Sequence, residues 1–380
     1  KKIMLSFLNK KIPRQYSFLN WIKGLISGQI KKIFFKFAKI FYSKIYTPDA
    51  TKPIKGKLLI ISEVGGLGDA ILFRRTVEAI KNNYDIYLIT KKYHLPVYEH
   101  IIPKEKIFVI NNFSHFFQIA KKLKGGGFNL LLLHELSIVS FVVTLIFFKK
   151  IPFKIGIFAN QAKGFLNKNF NAQDYKNVLA LYSDITVYLN GKYKLYSFNE
   201  YKKNSSEKIN QVLIHIGSHS LCKNWRIANF LELFRTLNKT NIKYKIIGNN
   251  DDLIILGKFL KEFKTKIKII ESFDELAKEI VSSELVLCHN TSILHLAFAL
   301  DIKTISFNSK GGYTWWNPYK DFPDHRHYAF NASNKECGYS QQIKSLLIEK
   351  NKYGCSLFDS IKPQEVFLIV KKMLNQSSSQ

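Results

Sequence analysis

The chain predicts an α/β protein built from two successive doubly wound, Rossmann-like domains. Three observations carry that expectation. Continuous apolar runs of four to six residues recur at intervals and alternate with segments of helical periodicity, the pattern of parallel strands covered on both faces. A polar stretch from Gly191 to Asn210 interrupts the alternation once, after which it resumes. The 380 residues suit two domains, each able to bury its own core.

The first set opens with the strand Lys57–Ile61 and a turn through Gly65, Gly66, Gly68 and Asp69, then a helix from Ala70 to Ile80. Strands follow at Asp85–Thr90 and Lys106–Ile110, a helix at Phe113–Leu123, a strand at Asn129–Leu133, a helix at Ile138–Phe148 and a strand at Lys154–Ile157. In the second set, strands are expected at Val212–Ile216, Tyr244–Gly248, Ile267–Ile270, Glu284–His289 and Thr304–Phe307. Helices are expected at Phe230–Leu237, Leu253–Phe263, Phe273–Ser282 and from the Asn290 turn onward. The organisation is therefore a basic extension over 1–56, a first domain over 57–190, a linker over 191–210, a second domain over 211–335 and a carboxy-terminal segment with a helix over 336–380. Ligands of such folds bind outside the carboxyl ends of the strands, which predicts a cleft between the domains.

Composition narrows the classes. Hydrophobic content of 46% with 23% charged residues is that of a folded protein rather than a disordered one. A net charge of +30 points to a polyanionic partner, a phosphorylated substrate or an anionic surface. Lysine supplies nearly all of it, with only six arginines, whereas nucleic-acid readers lean on arginine; no nucleic-acid partner is expected. Four cysteines lack C-x-x-C spacing and no His/Cys cluster has zinc-site spacing, so neither a metal nor another cofactor is expected, and the default compartment is a reducing cytoplasm. The beginning of the chain lacks the apolar core and cleavage site of a signal peptide. Leu130–Phe148 is apolar but interrupted by His134 and Glu135, and reads as a strand and a buried helix rather than a membrane span.

Through residue 57 the chain carries fourteen Lys/Arg against one acid, Asp49, interleaved with apolar residues at helical spacing. Such amphipathic helices either lie on anionic lipid or pack on the protein body. The first reading places the protein peripherally on the inner face of the cytoplasmic membrane.

Three strand-to-helix turns bear the candidate chemistry. In Asn290-Thr291-Ser292-Ile293-Leu294-His295 the unpaired N–H groups of a helix start can cradle an anion, although the same residues make a plain N-cap. His295, one turn inside, is either a ligand contact or a satisfied interior histidine. In the Gly66–Asp69 turn, the glycines allow close backbone approach, and Asp69 is either a general base or a helix cap. In the turn from Ser218 to Trp225, Lys223 can place a positive charge on a phosphate or can lie in solvent, and Trp225 can anchor the turn by packing.

Taken together, these turns resemble those of glycosyltransferase family 9, the bacterial ADP-heptose:lipopolysaccharide heptosyltransferase family, over about residues 57–374. Gly68-Asp69 is similar to the family's amino-terminal G-D motif, and Lys223-Asn224-Trp225 to its Lys-x-Trp element. Asn290 through Ala297 is similar to its D-T-G-x-x-H-L-A signature, and Cys337, Cys355 and Ile361–Val366 to its carboxy-terminal segment. The resemblance implies a GT-B fold and an inverting, metal-independent transfer of a heptose or related sugar from a nucleotide-diphosphate donor to a lipopolysaccharide or other glycolipid acceptor. It implies Asp69 as the base, Lys223 on the donor diphosphate, and Thr291 and Ser292 as the phosphate-binding turn. Gly66, Gly68, Ser218, Asn290 and His295 complete the expected donor site. Departures are visible: Asn290 replaces an aspartate, Ser292 a glycine, Ile216 and Arg226 stand where prolines are usual, and only Asp251 and Asp252 are candidates for the ribose-binding acid. Asn290 and Ser292 motivate an alternative, a degenerate relative that binds glycolipid or nucleotide sugar without turnover.

Overall fold

A computed structural model describes residues 55–63, 65–134, 137–157, 166–203, 209–218, 224–250, 267–309, 315–316, 319, 326–332 and 358–375. Residues 1–54 of the basic extension, the expected helix at 253–263, Lys223, Asp251, Asp252, Cys337 and Cys355 lie outside the described residues.

Two six-stranded sheets are formed, and every strand pair in both is parallel. The first contains β1 (Gly56–Ser62), β2 (Tyr84–Lys91), β3 (Ile107–Ile110), β4 (Leu130–Leu133), β5 (Phe153–Ile157) and β6 (Lys168–Phe170), in the order β3-β2-β1-β4-β5-β6. Leu58–Ile61 of β1 and all four leucines of β4 are fully buried, and they pair in register as Leu58 with Leu130 through Ile61 with Leu133. Burial on both faces is why these strands read as unbroken apolar runs.

The second sheet contains β7 (Ile209–His215), β8 (Tyr244–Gly248), β9 (Ile267–Ile269), β10 (Ser283–His289), β11 (Lys303–Asn308) and β12 (His327–Asn331), in the order β12-β11-β10-β7-β8-β9. Counted from β7, this is the strand order of the first sheet, so each sheet reverses direction once: between β1 and β4, and between β7 and β10. Those reversals are where doubly wound folds leave room for a ligand.

Among the described residues, the α-helices of five residues or more are α1 (Leu67–Ile80), α2 (Phe113–Leu123), α3 (Ile138–Phe147), α4 (Val178–Tyr188), α5 (Asn199–Lys203), α6 (Ile227–Lys239), α7 (Phe273–Val281), α8 (Ser292–Ala299) and α9 (Pro363–Asn375). Several begin with a side-chain cap: Asn112 accepts from His115 N, Ser137 and Ser140 form a reciprocal capping box, and Ser272 accepts from Glu275 N. The apolar run 130–148 is the strand β4 followed by the ten-residue α3. No helix among the described residues is long and apolar enough to cross a membrane.

By contacts the chain forms two units that do not follow chain order. One ends at Gly65 and resumes over Lys81–Leu95 and Ile102–Tyr175; the other contains Gly66–Ile80, Pro96–Ile101 and the chain from Lys176 onward. In the first unit, Phe116, Ile119, Ala120 and Leu123 of α2 and Phe141 and Val143 of α3 share a core with Leu59, Ile61, Leu131 and Leu133. In the second, Phe230, Leu233, Phe234 and Leu237 of α6 and Val366, Val370 and Met373 of α9 share a core with Val212, Ile214, Leu285, Leu287 and Ile305. Helix α1, which leaves the end of β1, belongs to the second unit and packs against α4 and α8 there. The polar stretch 191–210 contains α5 and the fully buried Phe198.

Candidate functional site

The turn after β10 starts from a pinned backbone. His289 is fully buried, and Asn290 is 8% exposed with its N–H bonded to Phe307 O of β11 at 3.1 Å. Thr291 is the N-cap of α8 in extended conformation, but its side chain makes no capping bond, and its buried Oγ1 has no hydrogen-bond partner among the described residues. The hydroxyl expected to close the helix start therefore leaves the first-turn N–H groups uncapped. An uncapped helix start is the positive end of the helix dipole and an anion-binding arrangement.

The Gly66–Asp69 turn meets this helix start within the same unit. Gly65 has φ 83°, a left-handed conformation that suits glycine. Gly66 N donates to Asp69 Oδ2 at 2.6 Å, so Asp69 reaches back from the third helical position to the start of α1. The capping role open to Asp69 in the sequence is therefore filled by this carboxylate oxygen. A methyl group placed on Gly68 would lie 2.9 Å from His295 Cδ2 and 3.6 Å from both His295 Nε2 and Ser292 Cα. Only a residue without a side chain lets the starts of α1 and α8 approach this closely. Gly66, Gly68, Asp69, Ser292 and His295 are thus one local cluster holding two helix amino termini.

His295 is 5% exposed, and its Nδ1 lies 2.7 Å from the Tyr319 hydroxyl. It is an interior histidine with Tyr319 on one side and Gly68 on the other. Tyr319 itself is fully buried and stacks on Phe298 of α8 with ring centroids 3.8 Å apart.

Ser218 follows β7, the strand paired with β10 through Leu285–Leu287, so it emerges beside the Asn290 turn where the second sheet reverses direction. Trp225 is 1% exposed, as expected of an anchor. Its backbone N–H donates to His289 Nε2 at 2.8 Å, its indole N–H donates to Ile361 O at 3.0 Å, and its ring stacks on Phe307. The tryptophan of Lys-x-Trp is thus held in place by β10, β11 and the approach to α9. Arg226, standing where the family has proline, pairs with Asp359, its Nη2 donating to Oδ2 at 2.7 Å.

Several groups escaped the sequence reading. Arg74 and Arg75 of α1 are buried rather than presented to a polyanion. Arg74 donates to Val97 O and to Glu200 Oε1, both at 2.6 Å, and lies 3.9 Å over the Phe198 ring. Arg75 Nε donates to Leu195 O at 2.6 Å, while its two terminal nitrogens meet no acceptor in hydrogen-bonding geometry among the described residues. At the end of β4, His134 Nδ1 lies 2.8 Å from Ser62 Oγ. Burial, with a smaller contribution from His94, pushes His134 down to about 3, so it is neutral. The apolar spacing of α1 would have flagged the two arginines as interior; nothing local marks Tyr319. Among the described residues, Glu99, His100 and Asp274 place three potential ligand atoms within 4.8 Å of one another, and the Asp274 carboxylate accepts the Tyr201 hydroxyl.

Comparisons with known proteins bear on the family and the fold. A glycosyltransferase family 9 (heptosyltransferase) profile matches residues 116–341, more than half of the chain. No curated protein matches at a significant level. A family 9 glycosyltransferase from Veillonella parvula DSM 2008 superposes with TM-score 0.65 at 13% identity, over 87% of this chain and 100% of that one. The E. coli ADP-heptose lps heptosyltransferase II gives TM-score 0.63 at 15% identity, over 85% and 100%. E. coli heptosyltransferase WaaC with ADP gives 0.57 at 10%, over 83% and 97%. At these identities the superpositions establish the fold, which is of GT-B type. With the profile match across both sheets, the chain belongs to glycosyltransferase family 9, the heptosyltransferase family, and is a glycosyltransferase.

Proposed function

We propose that this enzyme transfers a heptose or related sugar from a nucleoside-diphosphate donor to a lipopolysaccharide-type glycolipid, with inversion and without a metal. The observation that carries the reading is the meeting of two helix starts at Gly68, Ser292 and His295, beside an N-cap threonine that does not cap. Departure of a nucleoside diphosphate builds negative charge, and preorganised N–H groups stabilise that charge most where it develops. Lys223 adds a cation to the diphosphate. Asp69 takes the proton of the acceptor hydroxyl, whose oxygen bonds to the anomeric carbon as the bond to the diphosphate breaks. The hydrogen bond from Gly66 N holds the carboxylate at the helix start in readiness.

The strongly basic chain, and its amino-terminal segment above all, would hold the enzyme on the anionic inner face of the cytoplasmic membrane, near a phosphorylated acceptor. Titrating the purified protein with nucleotide sugars and following release of nucleoside diphosphate in the presence of a glycolipid acceptor tests the reading. Asp69→Ala is expected to retain donor binding and to lose at least about a hundredfold in transfer, in line with removal of a general base. Near-normal turnover by that variant would remove Asp69 from the mechanism. The second reading, a binder without turnover, is favoured by Asn290 and Ser292; donor binding with no product from any donor would select it.

A further inference from the structure

Tyr319 lies 24 residues beyond His295 in the chain, yet its hydroxyl is 2.7 Å from His295 Nδ1. The contact is deep: Tyr319 is fully buried, and His295 is 5% exposed. A buried hydroxyl needs an acceptor for its proton. Burial raises the proton affinity of Tyr319 and the nearby Arg75 guanidinium opposes that rise; among the described residues, its hydrogen-bonding partner is His295. Arginine has donors only. The terminal nitrogens of Arg75 can therefore supply protons toward the tyrosine oxygen but cannot receive one. Among the described residues, the O–H of Tyr319 is left with one acceptor, Nδ1 of His295. An imidazole that accepts at Nδ1 carries its proton on Nε2. The opposite edge of the same ring, Cδ2 and Nε2, faces Gly68, with Nε2 3.6 Å from where a Gly68 methyl would sit.

We propose that Tyr319, backed by Arg75, is a positioning residue for His295: it locks the imidazole as the Nε2–H tautomer and turns that N–H toward the junction of the two helix starts. There it donates to the leaving diphosphate of the donor, adding a side-chain donor to the backbone N–H groups. This deepens the proposed transfer reaction and rests on it for the identity of the anion. The tautomer and its cause stand on the protein alone. Phe298, stacked on Tyr319, fixes the plane of the ring that carries the hydroxyl.

The experiment uses the full chain with 15N-labelled histidine and long-range 1H–15N spectra of the imidazoles, with the His295 signals assigned from His295→Gln. The wild-type protein is expected to show Nε2–H with unprotonated Nδ1. Tyr319→Phe, which keeps the ring stack and loses the hydroxyl, is expected to give a mixture of tautomers or an Nδ1–H form. Its kcat should fall about tenfold, while KM for the nucleotide sugar changes less than about threefold. An Nδ1–H tautomer in the wild-type protein overturns the proposal, whatever the activity of any variant. So does a Tyr319→Phe protein whose tautomer is unchanged, or whose loss lies wholly in KM and thermal stability. If no donor is turned over, the spectra still decide the role of Tyr319, and the failure belongs to the assigned reaction.

Discussion

Replacing Gly68 with alanine tests the central contact of the site. The added methyl would stand 2.9 Å from His295 Cδ2, whereas carbon atoms rest at roughly 3.5–4.0 Å. One partner has to move by about 0.6 Å or more. The imidazole has little room, because it is 5% exposed and its Nδ1 is tied to Tyr319 at 2.7 Å. Overpacking of this kind costs about 1–3 kcal/mol, and a displacement approaching ~1 Å at a reacting centre costs on the order of a hundredfold in rate. Gly68→Ala is therefore expected to lower Tm by a few degrees and kcat/KM by roughly ten- to a hundredfold. Gly66→Ala is the control, since its methyl would meet Asp69 Oδ2 at an ordinary 3.5 Å; its stability should stay within about 1 kcal/mol of wild type. A double-mutant cycle by calorimetry and chemical denaturation completes the assay. If His295 is the obstacle, Gly68→Ala should cost less stability in a His295→Ala background. An undiminished cost in that background, or no cost in the wild-type one, would refute the packing argument.

Two further outcomes are expected. Trp225→Leu removes the stack on Phe307 and the indole bond to Ile361 O; loss of much of a buried aromatic predicts about 2–4 kcal/mol of destabilisation in urea, together with weaker nucleotide binding, and a variant as stable as wild type would show that the anchor is dispensable. His134 is held neutral down to about 3 in the folded protein, against 6.5 for an unperturbed histidine. Between those values the unfolded chain binds the additional proton, so this stability is complete above about pH 6.5 and is lost as pH falls, by up to about 1.4 kcal/mol per unit. Denaturation curves at pH 7 and 4.5 should converge for His134→Asn by about 2–3 kcal/mol relative to wild type; parallel profiles would show that His134 does not titrate on unfolding.

Strands buried on both faces were legible because an unbroken apolar run permits little else. Leu130–Leu133 and Leu285–Cys288 are fully buried, and both were located to within a residue or two. The strands β6 and β12 and the helix α4 were not. β6 is three residues, Lys-Asn-Phe, and β12, at a sheet edge, is buried only at Phe330, so neither presents a continuous apolar run. Helix α4 lies in the 57–190 segment of the sequence but has a weak apolar stripe and packs against α1 in the other contact unit. At the site, the Asn290 turn and Gly68-Asp69 could be found from glycine placement and strand-to-helix junctions. Their mutual contact could not, since more than two hundred residues separate them.

Local chemistry alone settled which segments become strands, where the glycine turns fall, and that the chain looks like a family of sugar-transferring enzymes, because these depend on hydropathy period and backbone freedom over a few residues. Tertiary structure decided that Asp69 reaches back to Gly66, that Thr291 leaves its helix uncapped, that Arg74 and Arg75 are interior, and that Tyr319 holds His295. Those facts depend on which side chains the two sheets and their crossovers bring within a few ångströms. Short-range hydrogen bonds and steric contacts between residues remote in the chain have no signature until the backbone has closed around them.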